Sequence, residues 1–275
     1  METAKDSGLQ AALAKYAALL DFFKGRGKAA VAFSGGVDSS LLLYAAGQGA
    51  DGVLAVTAGC CSVPRRELAE AVAFCERYGI RQKVAVIDQL RIPGFAENTP
   101  ERCYFCKKAL FTELLRAAAE EGACFLAEGS NTDDLRDYRP GLKAVAELQV
   151  ASPLREAGLS KAEIRLLARH FGLPVWDKPS FACLASRIPY GERITERRLS
   201  MAERGEQLLL ELGFRQFRVR LHGDDTARIE VLPEQFGLIM QERETIAERF
   251  KEYGFTYVSL DLQGYRSGSM NENIK

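Results

Sequence analysis

Short, nearly continuous apolar runs mark the first two-thirds of the chain: AAVAFS (29–34), GVLAVTA (52–58), QKVAVID (82–88), CFLAEGS (124–130) and QVASPL (149–154). Helical stretches lie between them, at 39–48, 64–78, about 105–121 and 160–171. A strand that is apolar throughout is buried on both faces. Strands of this kind alternating with helices predict a parallel sheet covered on both sides. An amphipathic helix over 7–25 precedes it. Such sheets bind ligands at the carboxyl ends of their strands.

The pattern changes after Gly191. A charged helix (195–212) leads into FRQFRVRLHGDDTARIEVL, which reads as two strands joined through the turn-forming HGDD. A helix over 234–252 and a strand over 255–262 follow. The expected organisation is an α/β parallel-sheet domain over 1–190 and a second, smaller α+β domain over 191–275, used for substrate binding or oligomerisation.

Composition narrows the classes. Apolar residues make up 47% of the 275, enough to fold around a sizeable core. Lys plus Arg equals Asp plus Glu at 37 each, so a long phosphate backbone is not the expected partner. METAKDSGLQ lacks the basic and apolar regions of a signal peptide, and no apolar run is long enough for a membrane span. Seven cysteines without a secretion signal read as reduced thiols in the cytoplasm. Cys75 and Cys124 sit in apolar surroundings and read as small core residues. Adjacent thiols such as Cys60 and Cys61 rarely share a tetrahedral metal.

The stretch VAFSGGVDSSLLLYAA ends a strand and starts a helix. Gly35 and Gly36 let the backbone curl close to a ligand. The amides of the first helical turn then converge on an anion, with the helix dipole behind them. Ser34, Ser39 and Ser40 offer hydroxyls. Asp38 can cap the helix or hold a Mg2+ ion that bridges phosphates. The plain alternative is an ordinary capped strand–helix corner. The Gly-Lys-Ser/Thr ending of a Walker loop is missing.

Cys103 and Cys106, in ERCYFCKK, have metal-ligand spacing, and Cys183 in the Pro- and Gly-marked loop KPSFACLASRIPYGERI is a candidate third thiol. Three thiolates can hold three irons of a [4Fe–4S] cluster and leave the fourth open. A structural zinc, a redox pair or free thiols suit the same residues, although His170 and His222, the only histidines, lack ligand spacing. In FRVRLH, alternation puts Arg218, Arg220 and His222 on one face, an arrangement suited to phosphate or to an exposed sheet surface. Glu206 reads as a solvated helix charge, with a general base as the alternative.

SGGVDSS resembles the PP-loop of the ATP pyrophosphatase superfamily. EGSNTDDLRDYRPG (128–141) and SPLREAGLSKAEIRLLA (152–168) fit the same superfamily, although Ser160 and Glu163 also form a capping box. The resemblance implies that the loop holds the β- and γ-phosphates of ATP as leaving pyrophosphate while AMP passes to a substrate oxygen. It also implies that Gly129, Asn131 and Asp133 line the nucleotide site, where a turn is the simpler reading of 131–134.

DKPSFACLASRIPYGERIT, FRVRLHG and GYRSGSMN are similar to the LarE family, and the likeness runs from Ser34 to Asn271. It implies an AMP-forming, ATP-dependent sulfur transferase that makes the nickel-pincer nucleotide cofactor of lactate racemase. The implied substrate is pyridinium-3,5-biscarboxylic acid mononucleotide, and the implied cofactors are ATP, Mg2+ and a [4Fe–4S] cluster. In one branch of the family a lone cysteine at the position of Cys183 gives up its own sulfur. The presence of Cys103 and Cys106 places this chain in the three-cysteine branch, with Cys183, Cys103, Cys106 and Asp38 as its catalytic residues. Ser186, Arg187 and Arg266 are implied substrate contacts beside Arg218 and Arg220. A sulfide or other sulfur donor and assembly into a homo-oligomer are expected. The rival readings are a tRNA thiolation enzyme, an amidating synthetase that works through an acyl-adenylate, and a non-enzymatic nucleotide-sensing or zinc scaffold that binds ATP without turnover.

Overall fold

The computed structural model describes residues 2–136, 140–179 and 182–266. Parts of three family-like segments, at 137–139, 180–181 and 267–271, lie outside the described residues. The chain folds as two units. One comprises 1–60, 65–87 and 103–180; the other comprises 61–64, 88–102 and 181–275. The second unit thus takes two short segments from the first two-thirds of the chain, and the expected boundary at 190/191 falls inside it.

The first unit runs through α1 (Glu2–Phe23), β1 (Lys28–Ala32), α2 (Val37–Gly49), β2 (Gly52–Gly59), α3 (Arg65–Arg77) and β3 (Gln82–Val86). It continues with α4 (Arg102–Glu120), whose first residue belongs to the second unit, then β4 (Phe125–Ala127), α5 (Pro140–Glu147), the single turn α6 (Pro153–Glu156) and α7 (Lys161–His170). The four strands are parallel, in the order β3-β2-β1-β4. Successive residues of a strand face opposite sides of its sheet. Ala29, Val31 and Ala55 accordingly pack with Leu19 of α1, Leu41 and Leu42 of α2 and Leu167 of α7. Ala30, Leu54, Val56 and Leu126 pack with Phe111 and Leu114 of α4 and Val145 of α5. Both faces are covered, as continuous apolar strands require.

The strand expected at 149–154 is reduced to one parallel bridge, Ala127 to Ala151. Gln149 enters it with a left-handed φ of 53°, and Pro153, which has no N–H to give a ladder, starts α6.

The second unit holds α8 (Glu196–Glu211), β5 (Phe217–His222), β6 (Thr226–Val231), α9 (Phe236–Gln241), α10 (Arg243–Glu252) and β7 (Tyr257–Leu260). Thr195 caps α8 by accepting from Arg198 N. The sheet order is β5-β6-β7, with β5 and β6 antiparallel and β7 parallel to β6. Phe217, Val219 and Leu221 are buried. Helix α8 lies so close that a Cβ on Gly205 would stand 3.0 Å from the Phe250 ring and 3.3 Å from Val219. The single helix expected over 234–252 is two, broken at Glu242 (φ −94°, ψ 10°). Among the described residues no helix is long and apolar enough to cross a membrane.

Candidate active site

In the first unit the candidate nucleotide loop joins β1 to α2. Gly35 has φ +72°, a backbone conformation that favours glycine, and a Cβ there would also stand a tight 3.3 Å from that of Ala71. Gly36 precedes the helix, and among the described residues no side chain caps it. An anion can therefore take the place of a cap at these first-turn amides. Ser39 closes the loop on itself: its Oγ donates to Gly36 O (3.1 Å), accepts from Ser34 N (3.3 Å) and lies 3.1 Å from Ser34 Oγ. Ser40 is fully buried, and its hydroxyl finds no partner among the described residues.

The end of β4 packs directly on this corner. A Cβ on Gly129 would stand 3.1 Å from Ser39 N and 3.4 Å from Asp38, so the missing side chain permits the close approach. The Glu128 carboxylate accepts from Ser130 N (3.1 Å), Ser130 Oγ (2.8 Å) and Ser152 Oγ (2.6 Å), which fixes the backbone on either side of Gly129. Asn131 Nδ2 donates to Asp38 Oδ1 (3.2 Å), and Asn131 Oδ1 accepts from Asp133 N (2.9 Å). Asp133 in turn accepts from Lys161 N (2.8 Å) at the start of α7. Ser34, Gly35, Gly36, Asp38, Ser39, Gly129, Asn131 and Asp133 are thus drawn into one neighbourhood.

Two lysines complete it, and neither was singled out from the sequence. Lys161 pairs with Asp38 Oδ2. Lys178 donates to Gly35 O (3.2 Å) and pairs with Glu67 (2.7 Å) and Glu70 (2.6 Å). Lys161 lies inside the superfamily-like string GLSKAEI, and Lys178 inside DKPSFACL, so the signal was present in both motifs.

In the second unit Cys183 is exposed and immediately precedes a 3-10 turn, Leu184–Arg187. Arg187 is wholly buried and forks onto Glu206, Nε to Oε1 at 2.7 Å and Nη2 to Oε2 at 2.9 Å. Its Nη1 donates to Ser186 Oγ (2.8 Å) and Cys183 O (3.3 Å). Glu206 is therefore not the solvated charge expected: at 2% exposure it also accepts from Val219 N (3.1 Å) and ties α8 to β5.

Arg218 and Arg220 are each only 5% exposed, which rules out a solvated face. Arg218 donates to Phe217 O (2.6 Å), and its guanidinium lies 5.1 Å from the centre of the Tyr265 ring. Burial, then the charge of Arg187, hold its pKa below the ordinary value. Arg220 donates to Ser186 O (2.9 Å) and pairs with the buried Glu230 (2.9 Å). Burial, then Arg228, lower the pKa of His222. Arg266 donates to Gln263.

Cys103 and Cys106 lie within the first two turns of α4, Cys103 exposed and Cys106 with 9% exposure. Side chains three apart on a helix are neighbours, so these two thiols fit a pair of metal ligands. Among the described residues no group of three or more His, Cys, Asp or Glu is placed to hold a metal ion. Cys61 is not isolated: its thiol donates to Gln89 Oε1 (3.6 Å), and burial, then the nearby Cys183 thiol, push it up to about 11.

No family model matches the chain. The chain is 41% identical to an uncharacterised protein of Synechocystis, slr1717, over 92% of its own length and 95% of that protein. Its identity to the pyridinium-3,5-bisthiocarboxylic acid mononucleotide synthase of Lactiplantibacillus plantarum is 36%, over 94% of this chain and 95% of that enzyme. A tRNA-specific 2-thiouridylase, MnmA of Xanthobacter autotrophicus, is 30% identical over 66% of this chain but only 57% of its own length. Likeness to the synthase over almost the whole of both proteins, and partial likeness to the thiouridylase, lead to one conclusion: the chain belongs to the LarE family of ATP-dependent sulfur transferases in the PP-loop superfamily.

Proposed function

We propose that the protein adenylates the carboxylates of pyridinium-3,5-biscarboxylic acid mononucleotide and converts them to thiocarboxylates, in the cytoplasm, for the nickel-pincer nucleotide of lactate racemase. The observation that carries this reading is the identity to the synthase, which at 94% coverage extends through both units.

A carboxylate oxygen is a poor leaving group, and transfer of AMP to it makes it a good one. The carboxylate attacks the α-phosphorus of ATP and the bond to the β-phosphate bridge breaks. Pyrophosphate leaves into the loop of Ser34, Gly35, Gly36, Ser39 and Ser40. Asp38 would hold Mg2+, which when bound would neutralise phosphate charge, and Gly129, Asn131 and Asp133 would line the nucleotide. Lys161 orients Asp38 and Lys178 braces the Gly35 carbonyl. Catalysis of such a transfer is mainly positioning and neutralisation of charge. Sulfide then attacks the acyl carbon and AMP departs.

The substrate carries a phosphate of its own, for which Arg218 and Arg220 are the proposed partners, with Ser186 and Arg266 as further contacts. Arg187, committed to Glu206, acts by orienting Ser186 and the backbone of Cys183. The proposed ligands of a [4Fe–4S] cluster are Cys103, Cys106 and Cys183, supported by the paired thiols on α4 and the exposure of Cys183. A cluster held by these three thiolates would keep one iron without a protein ligand and could supply sulfur there.

Pyrophosphate release tests the reading. It is expected to depend on the pyridinium dicarboxylate nucleotide and to give a thiocarboxylate when sulfide is present. Release that depends instead on tRNA, or an amide formed from ammonia, would overturn it.

A further inference from the structure

The turn that carries Cys183 is clamped by buried polar groups to which neither the sequence motifs nor the proposed chemistry gives a role. Asn98 is fully buried and has a left-handed φ of 56°, uncommon for a residue with a side chain. Its Nδ2 donates to Pro189 O (2.7 Å), Glu192 O (3.0 Å) and Ile188 O (3.3 Å). Its own carbonyl accepts from Gly191 N (3.0 Å), and Ala96 O accepts from Ile194 N (2.8 Å). Arg102, 4% exposed, donates through Nη1 to Asn98 Oδ1 and to Ala185 O (3.0 Å). Its guanidinium lies 5.1 Å from the centre of the Tyr190 ring. On the other side of the turn, Leu184 N donates to Ser62 O (2.9 Å), and Ser62 N donates to Gln89 Oε1 (3.0 Å).

The contrast is informative. Backbone on both sides of the turn is pinned by residues withdrawn from water, while the Cys183 thiol is exposed. Withdrawing a guanidinium from water is costly, and spending it partly on a neutral carbonyl beside a proposed reactive thiol yields a fixed geometry more than stability. A strained backbone angle held by several bonds points the same way. Arg102 and Asn98 stand four apart, so Arg102 at the start of α4 reaches back to Asn98 across one turn's length of chain.

We infer that Asn98 and Arg102 are positioning residues for Cys183: they hold its backbone so that the thiol serves the sulfur-transfer half of the reaction, and they take no part in adenylation. The inference rests on the proposed role of Cys183 in sulfur transfer.

Three variants test it: Arg102→Met keeps the stem without the charge, Arg102→Lys keeps the charge, and Asn98→Gly keeps the left-handed backbone without the amide. Hydrogen exchange and alkylation are followed on reduced, metal-free protein by peptide mass mapping, with Cys124, which is exposed and not the core residue its apolar surroundings predicted, as internal reference. Pyrophosphate and thiocarboxylate are measured on matched samples with the dicarboxylate nucleotide, Mg-ATP and sulfide. In Arg102→Met and Asn98→Gly, exchange over 184–194 is expected to accelerate, and alkylation of Cys183 relative to Cys124 to change by about threefold or more. Thiocarboxylate formation is expected to fall by about tenfold or more, with pyrophosphate release within about twofold of wild type. Arg102→Lys should recover part of the loss. Unchanged exchange and alkylation would overturn the inference, as would parallel loss of both half-reactions, the mark of a general structural role. Should Arg102→Met fail to fold, Asn98→Gly and Arg102→Lys decide by the same readouts. If wild type forms no thiocarboxylate the functional reading fails, and exchange and alkylation still decide the clamp.

Discussion

Arg187 and Glu206 form a forked ion pair, 2.7 and 2.9 Å, whose side chains are 0% and 3% exposed. The pair joins the Cys183 turn to α8, and through Val219 N to β5. A carboxylate removed from such a pair leaves a cation stranded out of water. Glu206→Gln keeps the shape and is expected to cost about 3–5 kcal/mol. Urea unfolding measures it, and a loss under about 1 kcal/mol, typical of an exposed pair, would contradict the buried arrangement.

Asp38 is held from two sides, by the Asn131 amide and the Lys161 ammonium. Asp38→Ala is expected to abolish AMP transfer and leave the fold intact. Lys161→Met is expected to weaken it by about tenfold, since a charge-assisted hydrogen bond is worth about 1.5–3 kcal/mol. Steady-state pyrophosphate release with circular dichroism as the folding control checks both; unchanged release by Asp38→Ala would remove the residue from the mechanism.

His222 gives a dependence on pH. Burial, with Arg228 and Arg220 nearby, lowers its folded pKa below 6.5, while Glu192 and Glu230 act in the opposite sense. The unfolded chain therefore binds this proton more readily. The contribution to stability is present above about 6.5 and is lost as pH falls toward the lower folded value. His222→Gln should flatten that part of the stability profile; an identical profile would show that His222 does not titrate differently on folding.

The thiols separate two routes for sulfur. If Cys103, Cys106 and Cys183 ligate one cluster, changing any of them to Ala is expected to lose iron and multiple turnover together. If Cys183 is sacrificial, Cys103→Ala and Cys106→Ala keep a single turnover, and spent wild-type protein carries dehydroalanine at 183. Iron assay and intact mass on the three variants distinguish the outcomes.

Much of this was legible in the sequence because it rests on local patterns. The parallel strands showed as apolar runs, and the nucleotide corner as two glycines before a Ser- and Asp-bearing helix. The break at Glu242 left no trace, because no Gly or Pro interrupts 238–252. Glu206 was misread because a helical charge facing a buried arginine has the same spacing as one facing water. Asn98 gave no signal either, since its three carbonyl partners lie about ninety residues away. Lys161 and Lys178 stood inside quoted motifs, but only the folded chain places them against Asp38 and Gly35.

The most direct test of the account supplies the protein with the dicarboxylate nucleotide, Mg-ATP and sulfide carrying a heavy sulfur isotope, under anaerobic conditions, and follows product and protein by mass spectrometry. The expected result is AMP and pyrophosphate formed with each replacement of a carboxylate oxygen by labelled sulfur, over repeated turnovers, with the polypeptide mass unchanged. AMP formation with no sulfur in the product would contradict the central claim that this protein is a thiocarboxylate-forming sulfur transferase.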